Sequence, residues 1–492
     1  MDRAYTHLSV AMAERGESFE GAFSHAGFRH PGPSLFYYLA GVSYALAPWT
    51  SRENSFRLAI ALLNSAFLGI SIFLLSGLTS RWTYALILAP ISFTIVSPRF
   101  LFDYWNPSPV PAATIAYLLS ITYLAHGRVS LLPLAIALGS FIAQCHLGSI
   151  PFLGVCLLYS VMICFWKRHS FPTRYDSLRA PCIASALVAI VFWLGPIIDI
   201  ARYGLESNPI KIFLSFVEQH PTPDLFATFT TVWKIAAKKL SLSSELPALL
   251  RFITPAVLWA FLIWMPAQSA AFFHLRILLA LGWGTSVWAL AQSFQPMASY
   301  LVSYFLGILA IAVTIATFSV VGHVASIIAT LGGLRKIQPT RIVMGAALGS
   351  CLLLSVYLAK SGDPQKKYGC YKTQTAQRFV TALAPESDVL YEIAPSSFDL
   401  RNFAAFFALQ LLNRQTHFCF VDSWLHYVGR SLTCSYQRAS HLSLPTIPVE
   451  LAFKDSAFSS GDKPARGSAR TVGMTWRVRD DDTRSFEFVW QP

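Results

Sequence analysis

The sequence predicts an all-α polytopic membrane protein, with about ten transmembrane helices plus a re-entrant or interfacial helix, followed by a C-terminal soluble α/β or α+β domain. Three observations carry this. Of 492 residues, 54% are hydrophobic and only 13% charged, against roughly a quarter charged in soluble proteins. The apolar residues gather into long runs as far as residue 359. Beyond that point the composition turns polar, since 16 of the 38 Lys/Arg and 13 of the 25 Asp/Glu lie in 360–492. A mean hydropathy of +0.49, with 13 Trp and 37 Phe, excludes a disordered, collagen-like or nucleic-acid-binding chain despite the net charge of +13. The positive excess belongs to the apolar part, as retention of basic loops in the cytoplasm requires, and only secondarily favours anionic lipid.

Apolar stretches fall at about 56–77, 82–97, 109–125, 129–143, 149–166, 181–200, 252–266, 275–294, 300–320 and 341–359. Several are shorter than the roughly 20 residues of an upright span, so they extend into their flanks or sit in a thinned, protein-filled region. The segment Pro33–Pro48 is shorter still and bracketed by prolines, which predicts the re-entrant or interfacial helix. With the N-terminal 55 residues outside, the inner connections hold Arg81, Arg128, Lys167, Arg168, Arg174, Arg179, Arg276, Arg335, Lys336 and Arg341, and the short outer ones only Arg99. Ten spans return the C-terminus to the outside. The expected organisation is an outer loop with a juxtamembrane helix over 1–55, a transmembrane domain over 56–359 and an extracytoplasmic soluble domain over 360–492. The expected location is the plasma (inner) membrane. Residues 201–251, amphipathic and carrying Lys234, Lys238 and Lys239, are expected to lie along the interface. Met1–Pro33 has neither a basic n-region nor an apolar h-region, so it is no signal peptide. Either the N-terminus is translocated or a first span is missing before Met1.

In the polar third, Asp388–Ile393 and Thr416–Val421 read as strands around a helix at Asp399–Asn413 with Phe403, Phe406, Phe407 and Leu411 on one face. Thr471–Val478 and Arg484–Trp490 read as a hairpin, and Phe458–Ser468 as the linker-like stretch. Cys145, Cys156, Cys164, Cys182 and Cys351 fit as small apolar residues in or beside spans. Cys370, Cys419 and Cys434 allow at most one disulfide in the outer domain.

No Walker loop, GxGxxG, GxSxG or HExxH occurs. Chemistry rests instead on polar residues at the outer ends of apolar helices, in four places. Asp2, followed by Arg3-Ala4-Tyr5 and an amphipathic run to Arg15, is a general base or a holder of divalent metal, or else a solvated terminal carboxylate. In Arg29-His30-Pro31-Gly32-Pro33 two prolines stop the chain continuing as helix through His30. They hold the imidazole at the mouth of the next helix, where an anion such as phosphate is favoured. Arg99-Phe100-Leu101-Phe102-Asp103-Tyr104-Trp105-Asn106-Pro107 is either a membrane-edge anchor or a phosphate and sugar-hydroxyl site built on Arg99, Asp103 and Asn106. Gln144-Cys145-His146 closes one span just before the next.

The order of these four places resembles the C-type (GT-C) polytopic glycosyltransferases, a superfamily that includes protein O-mannosyltransferases and the lipid A aminoarabinose transferase. The resemblance covers roughly residues 2–160 by motif and the remainder only by alternation of spans ending in an outer domain. It implies transfer of a sugar from a polyprenyl-phosphate donor, at the outer face of the membrane, to a cell-envelope acceptor: glycolipid, polysaccharide or protein. Asp2 then falls at the family's loop carboxylate, His30 at its His-Pro element, and Asp103 or Asn106 at a second polar position, preceded by Arg99. Asp2 and Asp103 are the implied catalytic carboxylates, and His30, Arg99, Asn106, Gln144 and His146 the implied substrate-binding residues. A divalent metal is an allowed cofactor, membrane lipid a partner and nucleic acid not. Two departures stand out: the family's first span is absent before Met1, and its paired acidic motif is a single Asp2 followed by Arg3. The alternative is a transporter or flippase of lipid-linked sugars, which would need ionisable groups near the bilayer midplane.

Overall fold

The computed structural model describes residues 3–22, 29–79, 87–96, 101, 103–168, 178–204, 211, 225–240, 248–264, 270–291, 303–330, 390–395, 408, 411, 417–420, 446–453, 471–478 and 484–491. The chain divides into two compact units. One comprises Phe19–Gly21 and His30–Gly362, the other Met1–Ser18, Ala22–Arg29 and Asp363–Pro492.

The first unit is helical: α2 (Ser34–Leu46), α3 (Arg52–Thr79), α4 (Leu88–Val96), α5 (Val110–Ala125), α6 (Leu132–Cys145), α7 (Ile150–Arg168), α8 (Arg179–Tyr203), α9 (Leu225–Leu240), α10 (Ala248–Trp264), α11 (Ala270–Ala291) and α12 (Ser303–Thr330). The second holds α1 (Arg3–Glu14) and strands β1 (Leu390–Pro395), β2 (His417–Phe420), β3 (Thr446–Phe453), β4 (Thr471–Val478) and β5 (Arg484–Gln491).

α5 is the axis of the helical unit. All of its residues are buried, and it packs against α3, α6, α7, α11 and α12. Its sequence explains this: Ala and Thr on the surface let neighbouring backbones close in, as helix contacts in an apolar medium require. A Cβ at Gly307 would meet the Pro111 carbonyl and Thr114, a Cβ at Gly139 would meet the Tyr117 ring, and one at Gly282 would meet Ile308 and Phe152. Several hydroxyls within the packing are satisfied by backbone. Tyr117 donates to the Leu153 carbonyl at 2.7 Å and Tyr123 to that of Leu74 at 2.9 Å. Ser120, Thr122, Ser286 and Thr314 each donate to the carbonyl four residues earlier.

Outward faces are apolar too. α8 exposes Ile183, Leu187, Ile190, Val191, Leu194 and Ile197, and α7 exposes Leu158, Met162, Phe165 and Trp166. A water-soluble protein does not leave such stripes uncovered. Among the described residues, five helices are long and apolar enough to cross a membrane: Arg52–Leu78, Leu147–Lys167, Arg179–Arg202, Ala270–Ala291 and Ser303–Val320.

Four further expected spans have described helices of 17 residues or fewer: α4 within 82–97, of which 82–86 and 97 lie outside the described residues, α5, α6 and the apolar part of α10. For α5 the reason is visible: a helix rising about 1.5 Å per residue and sheathed in protein on every side need not match the hydrocarbon thickness. The stretch 341–359 lies outside the described residues. The prolines around 33–48 do bracket a 13-residue helix, α2.

α9 falls inside 201–251 and is amphipathic, burying Thr228, Val232, Ala236 and Ala237 against α10 and α11. Trp233 ties it down by donating to the Phe252 carbonyl at 2.7 Å. Burial, and then the neighbouring Lys238, pull the Lys239 ammonium below its ordinary range.

In the second unit α1 ends at Gly16, whose φ of 74° only glycine adopts without strain, and whose neighbour Glu17 returns its N–H to the Met12 carbonyl. The strands form one sheet in the order β2-β1-β3-β5-β4, parallel except for the β4–β5 hairpin. Between β1 and β2, Ala408 and Leu411 have helical backbone and are fully buried. β3 carries Pro448 at its centre, which disguises it as a loop in the sequence, although Ile447, Val449, Leu451 and Phe453 alternate as a strand should. The 458–468 stretch and the side chains of Phe403, Phe406 and Phe407 lie outside the described residues.

Candidate functional site

Four of the residues singled out by sequence meet at one end of the helical unit, where α5 and α12 begin and α6 ends. The chain reaches this end through His30-Pro31-Gly32-Pro33, and α2 starts at Ser34 directly after Pro33. His30 is buried, and its carbonyl accepts the Gly21 N–H at 2.8 Å. Its Nδ1 accepts the backbone N–H of Leu147 at 3.1 Å. A ring nitrogen that accepts holds no proton, so the neutral imidazole carries its proton on Nε2.

Gln144 is the brace. Its Oε1 accepts both the backbone N–H of Ser34, at 3.2 Å, and the Ser34 hydroxyl, while its Nε2 donates to the Phe192 carbonyl at 2.5 Å. One side chain thus joins α2, α6 and α8. Gly32 is required here, because a Cβ would overlap the Gln144 side chain.

His146 leaves the helix in an extended conformation (φ −152°, ψ 93°), and its carbonyl caps the turn by accepting the Ser149 hydroxyl at 2.6 Å. Its ring lies 6.4 Å from that of His30 and 5.5 Å from that of Tyr304, edge-on to the tyrosine. Asn106 anchors the entry to α5 by donating from Nδ2 to the Cys145 carbonyl at 2.8 Å. His30, Asn106, Gln144 and His146, 116 positions apart at the extremes, therefore share one buried polar knot.

Asp103 is half-buried three residues before Asn106, on a segment fastened to α3. Asn64 donates to the Leu101 carbonyl at 2.6 Å, and Tyr104 packs edge-on against Phe56 at 5.6 Å. Asp103 is thus carried on the segment that leads into Asn106 and α5. Asp2 and Arg99 lie outside the described residues.

Sequence reasoning missed two participants. Ser34 is inseparable from Gln144, and its position directly after a proline-fixed turn was the available signal. Tyr304 reads as one more aromatic at the end of an apolar run. In the fold it is fully buried, stacked on Phe152 at 5.5 Å with an interplanar angle of 21°, with Ser286 beside its hydroxyl. Ser108, Thr114 and Ser303, at the openings of α5 and α12, bury hydroxyls that have no hydrogen-bond partner among the described residues. Such groups are costly unless water or a ligand meets them.

The knot suits hydrogen bonding to hydroxyl or phosphate oxygens more than metal binding. Among the described residues no group of three His, Cys, Asp or Glu side chains is disposed to hold an ion, and His30 has already committed Nδ1. No family model, curated protein or solved structure matches the chain.

Proposed function

We propose that the protein is an integral-membrane glycosyltransferase that moves a sugar from a polyprenyl-phosphate donor to a cell-envelope acceptor at the outer face of the membrane. The observation that carries this reading is the gathering of His30, Asn106, Gln144 and His146 at one end of an apolar helical unit. A transporter would spread such groups along the path through the bilayer.

In the proposed reaction an acceptor hydroxyl attacks the anomeric carbon and the bond from that carbon to the phosphate oxygen breaks, with inversion. The hydroxyl proton passes to a carboxylate, Asp2 or Asp103, and the polyprenyl phosphate leaves as the anion beside Arg99. His30 donates from Nε2 and orients phosphate or sugar oxygen, while Gln144 holds the two helix ends that frame the site.

The test is transfer of a radiolabelled sugar from a polyprenyl-phosphate donor in proteoliposomes. Asp2→Asn or Asp103→Asn should lower turnover by roughly 10²–10⁴-fold, the loss typical of a general base, with donor binding retained. Normal turnover in both variants removes the carboxylate mechanism. No transfer from any such donor by the intact protein overturns the reading, and a lipid-translocation assay then tests the flippase alternative. Reporters at Ser170 and Ser460 should face opposite sides of the membrane.

A further inference from the structure

At the far end of the same helices lies a second polar cluster that the proposed transfer does not use. α5 runs from the knot to the turn that carries His126 and Arg128, α7 carries Lys167 in its last turn, and α11 enters with His274. Lys167 Nζ donates to the Ala125 carbonyl at 3.4 Å and lies 2.9 Å from His274 Nε2. An ammonium has only protons to give, so Nε2 accepts; Nδ1 then carries the ring proton and donates to the Tyr159 hydroxyl 2.8 Å away. This fixes His274 as a neutral ring and Lys167 as a held cation with a third N–H that meets no described residue.

Arg128 is held nearby, its guanidinium 4.9 Å over the Tyr123 ring, and that ring is in turn fastened to Leu74 through its hydroxyl. His126 is exposed between them and feels both Lys167 and Arg128. Among the described residues no carboxylate pairs with any of these groups. Positive side chains held in place by a carbonyl and an aromatic ring, with no described carboxylate beside them, form a seat for an anion.

The surroundings select the kind of anion. Beside the cations, Trp166 is 80% exposed, Phe165 56% and Phe273 52%. A free phosphate has no use for apolar aromatics at its flank, whereas a lipid brings acyl chains to cover them and a head group to meet the charges.

We propose that the end of the helical unit formed by the C-termini of α5 and α7 and the first turns of α11 binds the phosphate of an anionic membrane phospholipid, through Arg128, Lys167 and His126. Lys167 is the fixed donor at the floor, Arg128 supplies planar contacts from the rim, and Trp166 lies along the chains.

The test uses the full chain purified in detergent and equilibrated with mixed micelles of phosphatidylglycerol or phosphatidylcholine, with retained lipid counted by native mass spectrometry. Phosphatidylglycerol should be retained in preference to phosphatidylcholine. Arg128→Gln, at an exposed position, should weaken that retention by roughly fivefold, with a further loss when His126→Gln removes its ring N–H, while Arg128→Lys largely preserves it. Lys167→Met should abolish the preference; should it also impair folding, the exposed pair carries the test alone. Equal retention of the two lipids overturns phosphate recognition, and unchanged retention in the double variant overturns the site. Displacement by inorganic phosphate at the lipid's own concentration assigns the site to free phosphate and overturns the lipid.

Discussion

The two ends of the central helices handle polar groups in opposite ways. At the His30 end, the side chains that brace the helix ends are tied to backbone or to another side chain, while the hydroxyls of Ser108, Thr114 and Ser303 are buried with no described partner. Gln144 holds Ser34 and Phe192, Asn106 holds Cys145, and Leu147 holds His30. At the Lys167 end, one lysine is anchored to Ala125 and His274, while Arg128 and His126 stand outward with no carboxylate described beside them. The difference teaches where the structure is rigid by necessity. Buried dipoles without partners are costly, so the first end is braced wherever side chains join helices, and its few unpartnered hydroxyls mark where water or a ligand would be met. Exposed cations are cheap in water, so the second end can keep charge in reserve.

The comparison breaks most visibly at Gly32. Gly32→Leu should disrupt the brace between α2 and α6 and yield protein that is not monodisperse in detergent, because the added atoms overlap Gln144. Gly32→Ala should lower stability by about 1–3 kcal/mol, the usual cost of overpacking, read as a fall in Tm. A Tm equal to the parent's would mean the His30 end is loose. Asn106→Leu comes next. It leaves the Cys145 carbonyl buried without its donor, at about 1–3 kcal/mol, with α6 unwinding at its C-terminal turn in hydrogen exchange.

Ser34→Ala is milder, about 1 kcal/mol, since Gln144 Oε1 keeps the Ser34 backbone N–H when the hydroxyl is lost. The smallest effect belongs to the other end. Burial, then Lys167 and Arg128, hold the His126 imidazole below its ordinary 6.5. The unfolded chain therefore binds this proton first as pH falls through 6.5, and His126 contributes a slight loss of stability toward acid. Lys167→Met should raise the His126 titration midpoint in the NMR spectrum. A midpoint unmoved by that change would place Lys167 outside its field.

Much of this was legible in the sequence for a simple reason: local pattern decides local structure. Apolar runs became helices, the prolines around 33–48 bracketed α2, and Gly16 stopped α1. His30, Asn106, Gln144 and His146 were visible because a polar side chain at the edge of an apolar run is conspicuous. Ser34 and Tyr304 were not, since a serine after proline and a tyrosine in an apolar stretch are ordinary. β3 was hidden by Pro448, whose cost depends on partners the sequence does not name.

By itself, then, the sequence determined the helical, apolar character of the first unit and the residue types available at its ends, because hydropathy and backbone propensity are properties of neighbours along the chain. Only the tertiary structure decided that Gln144 would join three helices, that His30 would receive Leu147 on Nδ1, and that Lys167 would fix the tautomer of His274. A hydrogen bond needs its two groups within about 3 Å. For residues more than a hundred positions apart, that distance is set by how the helices pack, not by the order in which they are written.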